Sequence, residues 1–269
     1  MKIIILTENT EGVPGTKAEH GLSVYVETKQ HILLSDTGAS DALIINASVM
    51  GIDLKKVDTV ILSHGHYDHC GGVLPFSDIN NKADIYIREG ADGSFYDSAG
   101  KYIGIDKRIM SLPNLHIVSG DEQIDEELFL FGDVKGTKLF PFGNVRILKE
   151  ENGVRIPDTF EHEQNLVIYE KGKRVLISGC AHCGIVNILD RFYDIFGTDP
   201  DAVITGFHLM KKTAYQEDEI VLIKQTALDL KKRKTLYYSG HCTGDAVTCL
   251  KEILGDQLQL MYTGLQIQI

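Results

Sequence analysis

The chain has 269 residues, of which 43% are hydrophobic and 24% charged, and this globular composition excludes disorder, collagen and coiled coil as descriptions of the whole chain. Its 27 Lys and Arg stand against 38 Asp and Glu, and the net charge of −11 argues against a general nucleic-acid-coating role. No apolar run approaches a membrane span, and residues 3–6 are too short for a signal peptide. Five cysteines are too few for a disulfide scaffold, so we expect a reduced cytoplasmic protein without membrane or nucleic-acid partners.

The first half of the chain opens with strands and then alternates helix with strand. Apolar runs predict strands over residues 3–6, 23–27, 32–35 and 57–63. Ser40 or Asp41 can cap a helix that runs to Met50, with Gly51 after it. Residues 77–160 are less regular, and the Gly- and Tyr-containing stretch 90–104 is typical either of a loop over a site or of a plain surface excursion.

The second half is strongly periodic and indicates an α/β domain. We predict strands over residues 166–170, 174–178, 202–205 and 236–239, and helices over 185–196, 217–230 and 246–254. The basic run 231–234 follows a predicted helix, where cations are favourable, and this interpretation is preferred over a nucleic-acid patch. Because no linker interrupts the chain, we expect one domain over residues 1–269.

Four predicted strands end in the same way, with Ser or Thr and then a glycine-containing turn that presents a histidine. These histidines are His64, His182, His208 and His241. Active sites in α/β sheets gather at the carboxyl ends of strands, so the four side chains are expected to converge on one edge. A divalent cation binds neutral imidazoles, which would otherwise repel one another when protonated. The repeats therefore predict a metal site.

The first repeat, His64-Gly65-His66-Tyr67-Asp68-His69-Cys70-Gly71-Gly72, is the most informative segment. Side chains alternate along an extended segment, so His64 and His66 point the same way and can bind one metal. Asp68 and His69 follow the turn and can face a second metal nearby. Two cations at that spacing can share a water and its negative charge.

This segment resembles the His-x-His-x-Asp-His signature of the metallo-β-lactamase superfamily, and residues 33–38 are similar to the early strand that ends in Asp-x-Gly there. Segments 19–23, 178–185, 205–209 and 240–244 resemble a subgroup whose archaeal members are described as dihydropterin–ribofuranosylaminobenzene 5′-phosphate synthases. The resemblance implies an α/β fold, a four-layer αββα sandwich of two mixed sheets flanked by helices, with an internal pseudo-repeat. It also implies metals at one sheet edge and a supporting role for Asp36.

The resemblance further implies two divalent metal ions, each with three protein ligands and an open position. His64, His66 and His182 would hold the first ion, and Asp68, His69 and His241 the second. We expect zinc, with manganese, iron and nickel as the alternatives. The sequence departs from the family pattern in two places: a Gly-His-Thr motif is missing, with His162 as the nearest substitute, and Cys180 stands where a bridging Asp is usual.

Several residues around this motif have roles that the sequence leaves open. Asp68 is a candidate catalytic residue that holds a water. His208 is a candidate catalytic and substrate-binding residue, either as a metal ligand, a phosphate-binding donor or a general acid, and His20 is a candidate substrate-binding residue. Cys180 either ligates a metal as thiolate or packs. Packing is also expected of the other cysteines near the histidine motifs (Cys70, Cys183 and Cys242), over a structural zinc or redox pair. His31 and His116 are expected to be structural or at the surface.

The predicted function is that of a metal-dependent hydrolase or transferase with a dinuclear site. We expect the partner to be a small-molecule substrate, phosphorylated or pyrophosphorylated, with pterin-related compounds as one option. A di-iron redox protein is the second hypothesis, because His and carboxylate ligands suit iron as well as zinc. The third is a non-catalytic protein that keeps the metal site for ligand binding or sensing.

Overall fold

The structure is a computed structural model that describes all residues, 1–269. The α-helices are α1 (Ala42–Val49), α2 (Tyr67–Cys70), α3 (Val73–Ile79), α4 (Ile185–Phe196), α5 (Glu217–Leu230) and α6 (Ala246–Leu254). The strands are β1 (Lys2–Thr7), β2 (Ser23–Glu27), β3 (Ile32–Ser35), β4 (Thr59–Leu62), β5 (Asp84–Arg88), β6 (Phe95–Asp97), β7 (Leu115–Val118), β8 (Glu122–Gln123), β9 (Leu128–Phe131), β10 (Ile147–Glu151), β11 (Val154–Pro157), β12 (Asn165–Glu170), β13 (Lys173–Ile177), β14 (Ala202–Thr205), β15 (Leu236–Ser239), β16 (Leu258–Leu260) and β17 (Gln266–Gln268). Five short 3₁₀ helices complete the regular structure.

Two seven-stranded mixed sheets form the centre of the molecule. The first has the order β17-β1-β2-β3-β4-β5-β7, and the second has the order β16-β15-β14-β13-β12-β9-β8. In each sheet three neighbouring pairs are parallel and three are antiparallel. A small third sheet, β11-β10-β6, lies outside them. The shared strand plan of the two large sheets agrees with the internal pseudo-repeat that the sequence suggests.

Three hydrophobic cores separate four layers, because the central strands are apolar on both faces. Along β13, Val175 and Ile177 belong to a core shared with Ile3 of the first sheet, whereas Leu176 packs with the helices α4, α5 and α6. A third core lies between the first sheet and helices α1 and α3. Strands buried on both faces read as continuous apolar runs, which explains why they were recognisable in the sequence. The layers confirm the predicted αββα sandwich.

The helices and strands predicted within residues 3–63 and 166–254 are confirmed, with boundaries shifted by one or two residues. Helix α1 begins after Asp41, and Ser40 Oγ accepts a hydrogen bond from the Ala42 N–H. The basic run that starts at Lys231 directly follows α5. The prediction for residues 77–160 was too weak, since this stretch holds β5 to β11, four of which extend the large sheets. None of the helices is long and apolar enough to cross a membrane.

Candidate metal centre

The histidine-bearing turns of both halves meet at one edge of the sandwich. Strands β13, β14 and β15 are parallel neighbours, so their carboxyl ends lie side by side, with His182, His208 and His241 in the turns that follow. Strand β4 of the other sheet ends just before His64. His66 occupies the N-cap position of α2, and this helix carries Asp68 and His69. The structure thus brings together all six residues for which the sequence predicts metal binding.

The first cluster consists of His64, His66 and His182, all buried. One ring nitrogen of each lies within 4.8 Å of one ring nitrogen of the others. The Nε2 atoms of His64 and His182 are 3.2 Å apart. His66 Nε2 is buried and has no hydrogen-bond partner. Such an orphaned nitrogen costs free energy unless a ligand satisfies it.

The second cluster consists of Asp68, His69 and His241, which are also buried. His69 Nε2 lies 3.2 Å from His241 Nε2. Asp68 Oδ2 is 3.3 Å from His241 Nε2 and 3.8 Å from His69 Nε2. Atoms that bind one zinc ion at about 2.0–2.3 Å in a tetrahedron lie about 3.3–3.8 Å from one another. The two clusters adjoin, since the ring centroids of His64 and His69 are 4.2 Å apart.

The hydrogen bonds of the histidines in each cluster favour the metal-binding tautomer. His64 Nδ1 lies 2.8 Å from Ser63 Oγ, whose own proton goes to Asp36, and His182 Nδ1 lies 3.0 Å from Asn144 Oδ1. With their Nδ1 protons donated, both Nε2 atoms carry lone pairs that face each other. Lone pairs at 3.2 Å repel, and a cation between them removes the repulsion.

The second cluster is held in the same way. His69 Nδ1 donates to Asp36 Oδ2 at 2.6 Å, and His241 Nδ1 donates to Asn9 Oδ1 at 2.9 Å. Asp36 also accepts from the Ser63 N–H at 2.7 Å, so one buried carboxylate orients both clusters. This agrees with the supporting role predicted for Asp36. The residues present therefore fit a pair of divalent cations.

Burial sets the charge of these groups when no cation is bound. It lowers the pKa of His66 to about 3, and burial together with neighbouring imidazoles holds the pKa of His64 and His182 well below the usual range. His69 is the exception: burial lowers its pKa, but Asp36 and Asp68 outweigh burial and raise it to about 9. Neutral imidazoles are ready ligands, and the proton on His69 marks where positive charge is favoured.

Two further predicted site residues lie beside the clusters. His20 Nε2 is 3.4 Å from Asp68 Oδ2, and its ring stacks on His241 with centroids 4.8 Å apart. The His208 ring centroid is 4.2 Å from that of His182, and His208 Nδ1 is buried without a partner. Burial lowers the pKa of His208 to about 3, so its ring is neutral at pH 7. Both residues face the same pocket.

His162, the histidine nearest to the missing motif, lies beside the first cluster and forms a further candidate ligand group with His66 and Asp158. Its Nδ1 accepts a hydrogen bond from the Gly65 N–H at 3.0 Å, and its Nε2 donates to Asp158 at 3.0 Å. Both ring nitrogens are therefore used, although the ring lies near His66. His182, which follows β13, is the histidine that meets His64.

Several further residues, which carry no motif in the sequence, fix the site. Glu163 is buried and accepts hydrogen bonds from the backbone N–H groups of His182, at 2.6 Å, and Cys183, at 2.8 Å. Glu8 accepts from the His241 N–H. Asn9 and Asn144 hold the histidine rings as described above. Only the position of Glu163 beside His162 in the sequence offered a signal for any of them.

A pocket of about 490 Å³ opens onto the clusters. His66, Asp68 and His182 form part of its wall, and Cys180 and Cys242 also line it. Segment 90–104 lies over the site, because Asp97, Lys101 and Ile103 line the pocket and Gly104 pairs with His66 in an isolated bridge. The volume is that of a small-molecule site.

The pocket wall carries three cationic side chains: Lys101, Arg146 and Lys212. Each is exposed, and none forms a salt bridge within the chain. Asp97, the acidic residue at the rim, accepts hydrogen bonds from the backbone N–H groups of Ala99 and Lys101 instead. A pocket with unpaired cations in a chain of net charge −11 favours an anionic ligand.

Fold and site together define a four-layer α/β protein whose sheet edge is suited to holding cations beside a small-molecule pocket. The comparisons with known proteins identify the family. The model of the metallo-β-lactamase superfamily matches residues 16–223, and the chain belongs to this superfamily.

Similar proteins of the superfamily cover nearly the whole chain. A 7,8-dihydropterin-6-methyl-4-(β-D-ribofuranosyl)-aminobenzene-5′-phosphate synthase from Methanocaldococcus jannaschii is 28% identical over 264 residues, which is 91% of this chain and 88% of that protein. A crystal structure described as a metal-dependent hydrolase of the β-lactamase superfamily is 32% identical, covers 100% of this chain and 99% of its own, and superposes with a TM-score of 0.85. Zinc-bound PqqB from Methylobacterium extorquens, at 13% identity and full coverage of both chains, shares the fold with a TM-score of 0.62.

Proposed function

We propose that this protein is a metal-dependent hydrolase or transferase that acts on a small phosphorylated or pyrophosphorylated substrate through a dinuclear centre. One observation carries the proposal. A single pocket is lined both by buried side chains of the two clusters, which can bind metal ions, and by three Lys and Arg side chains that have no ion-pair partner. The clusters suit catalysis, and the cations suit the recognition of phosphate oxygens.

The two clusters would each hold one cation, with zinc as the expected ion because its ligands are mainly imidazoles. Such ions supply Lewis-acid stabilisation of the negative charge that develops on phosphoryl or leaving-group oxygens, and they lower the pKa of a nearby water. Asp36, Asn9 and Asn144 orient the imidazoles so that their Nε2 atoms face the ions.

The remaining residues of the pocket would bind and orient the substrate and a water molecule. Burial raises the pKa of Asp68, but His69 and His241 lower it by more, so the carboxylate stays ionised and can bind a cation or accept a hydrogen bond from a water molecule. His208 lines the pocket, and its neutral ring would contact the substrate. Arg146 and the two lysines would bind phosphate oxygens at the mouth of the pocket.

The Methanocaldococcus relative is described as a synthase of a pterin-containing phosphate ester, and this supports a substrate with a phosphate or pyrophosphate group. A pterin-related substrate is accordingly the first compound class to test. In the transferase version of the reaction the chain would release pyrophosphate when an amine replaces it. In the hydrolase version water takes the place of the amine.

The test combines metal analysis with a substrate panel. We expect purified protein supplied with zinc to bind two ions per chain and to turn over a phosphate or pyrophosphate ester, with or without an aromatic amine acceptor. His66→Ala should lose the ion of the first cluster and all measurable turnover, because it removes a ligand nitrogen.

His116→Ala is the matched control, since His116 is half exposed and contacts Asp84, away from the clusters. It should retain both metal and activity. Turnover by His66→Ala, or a wild-type protein that binds no metal, would contradict the proposed function. Metal binding with no turnover of any ester would point to a binding or sensing role instead.

A further inference from the structure

Asp97 is a carboxylate on the wall of a pocket that also carries three cations. It lines the pocket together with Lys101, Arg146 and Lys212. Nevertheless it forms no ion pair with any of them. A carboxylate repels phosphate oxygens, so Asp97 is suited to a different part of the ligand from the one that the three cations attract.

The turn that follows β6 fixes this side chain and leaves one of its oxygens free. Asp97 Oδ1 accepts hydrogen bonds from the backbone N–H groups of Ala99 and Lys101, both at 2.9 Å. The Asp97 N–H in turn donates to the Lys101 carbonyl at 2.9 Å. Each carboxylate oxygen has two lone pairs, so Oδ1 is fully used, whereas Oδ2 has no hydrogen-bond partner within the chain. Oδ2 can therefore accept two hydrogen bonds from a ligand.

The neighbouring cations do not occupy this free oxygen. Lys101 Nζ lies over the Tyr67 ring, 5.0 Å from its centroid. Arg146 directly precedes Ile147, the residue paired with Asp97 in the ladder between β6 and β10, yet its guanidinium makes no hydrogen bond to the carboxylate. A carboxylate oxygen forms charge-assisted hydrogen bonds with N–H groups, which are about twice as strong as those between neutral groups. The ligand group that fits Oδ2 is thus an N–H donor.

The pocket wall around Asp97 is suited to a flat ring. Tyr67 is half-buried, and it lines the pocket together with Ile103 and Ile147. The Tyr67 N–H donates to the Ile103 carbonyl at 2.9 Å, so the segment that carries Asp97 is tied to α2 of the candidate metal centre. Aromatic and aliphatic side chains contact the faces of planar ligands, while a few polar groups set their orientation. Asp97 is the polar group that would orient such a ring here.

We propose that Asp97 selects the substrate by binding the amino-bearing edge of an aminopyrimidinone ring, which pterins and guanine share. This deepens the proposed function and rests on it, because the subsite lies in the pocket assigned to the phosphorylated substrate. The edge presents an exocyclic amino group beside a ring N–H, and both can donate to Oδ2. The cations bind the phosphate and Asp97 binds the ring, so side chains of opposite charge recognise the two ends of one molecule.

Calorimetric titration of the zinc-loaded, full-length protein with matched pairs of compounds tests this assignment. Pterin and pteridin-4-one differ only in the amino group, as do guanosine and inosine. The wild-type protein should bind pterin about 10-fold more tightly than pteridin-4-one, because the hydrogen bond from the amino group to a charged acceptor is lost. In Asp97→Asn this preference should vanish, since the amide can keep the Oδ1 contacts but offers an N–H in place of Oδ2. Asp106→Asn is the matched control: Asp106 also accepts from a backbone N–H two residues further on, but it lies outside the pocket.

A preference for the amino compound in either pair supports the assignment and identifies the ring system. Absent binding, equal affinities within both pairs, or a preference that persists in Asp97→Asn overturns it. If Asp97→Asn does not fold, Asp97→Ser takes its place, because a hydroxyl can accept from the N–H groups of the turn. A protein that turns over a phosphate ester without this preference loses the Asp97 assignment and keeps the proposed function. A protein that shows the preference but turns over no ester refutes the proposed function alone.

Discussion

At the scale of single residues, Arg146 is the positively charged side chain of the pocket for which we expect the most specific contact with a phosphate group. Its planar guanidinium can donate two parallel hydrogen bonds to a phosphate group, which a lysine cannot do. It lies in a short 3₁₀ helix, Phe142–Arg146, two residues beyond Asn144, which orients His182. The same segment therefore orients His182 and presents a cationic side chain to the pocket.

Arg146→Ala should raise KM for a phosphorylated substrate by about 10-fold or more, because a hydrogen bond to a charged group contributes about 1.5–3 kcal/mol. The kcat should change less, since Arg146 is no member of either cluster. Steady-state kinetics with a phosphorylated substrate and its dephosphorylated analogue measure the effect. Lys234→Ala, an exposed cation outside the pocket, is the control. An equal loss for both compounds would show that Arg146 does not bind the phosphate.

The residues that could be predicted from sequence are those that carry a local pattern. His64, His66, Asp68 and His69 lie within six positions, and each later histidine follows an apolar strand. Their partners have no such pattern: Asn144 is 38 residues from His182 in the sequence, and Asn9 is 232 residues from His241. Single asparagines in irregular segments acquire their role only when the fold brings them to a ring nitrogen, so sequence reasoning did not find them.

At the scale of secondary-structure elements, His31 connects the two sheets. It lies at the edge of the sandwich opposite the turns that carry the histidine clusters. It lies in the turn before β3, and its ring contacts Asp58, which precedes β4, at 2.9 Å. It also contacts Asp125, in the turn between β8 and β9 of the other sheet, at 2.6 Å. Burial lowers the pKa of His31, but the two carboxylates outweigh burial and raise it. The structural role expected for His31 agrees with these contacts.

This raised pKa predicts a pH-dependent contribution of His31 to stability. Because the folded pKa exceeds the unfolded value of about 6.5, the contribution is fully present below pH 6.5 and is lost as pH rises through the folded pKa. His31→Gln should lower the free energy of unfolding by about 1 kcal/mol in mildly acidic buffer and by less at alkaline pH. Urea unfolding of both proteins across that range tests this, and a difference that grows with pH would contradict it.

The elements missed in residues 77–160 show where pattern reasoning is weak. Strand β5 begins with Asp84 and ends in Arg88, which is buried and paired with Asp133, so its apolar run is short and bounded by charges. Strand β7 lies at the sheet edge and has two consecutive exposed residues, His116 and Ile117, so it lacks the apolar run of a buried strand. Strands β10 and β11 form a local hairpin, whereas β6 pairs with β10 from far away in the sequence. The pairing of β6 depends on tertiary contacts rather than on local propensity.

At the scale of the whole molecule, each candidate cation site is formed by residues from both halves of the chain. His64 and His66 come from the first half and His182 from the second, and Asp68 and His69 meet His241 in the same way. The two halves share one core between the sheets, but at the edge of the sandwich they meet through these imidazoles. Bound ions would therefore act as cross-links between the halves, and their binding free energy would add to the free energy of unfolding.

Removal of metal should for this reason destabilise the entire fold. At a metal concentration 1,000 times Kd, binding to the native state alone contributes about 4.1 kcal/mol per ion. A loss of that size corresponds to a fall in Tm of about 10 °C for a chain of this length. Thermal unfolding before and after treatment with a chelator, followed by zinc addition, measures the fall and its reversal. His66→Ala, which should already lack the first ion, is expected to respond less to the chelator. An unchanged Tm in the wild-type protein would mean that no ion links the two halves.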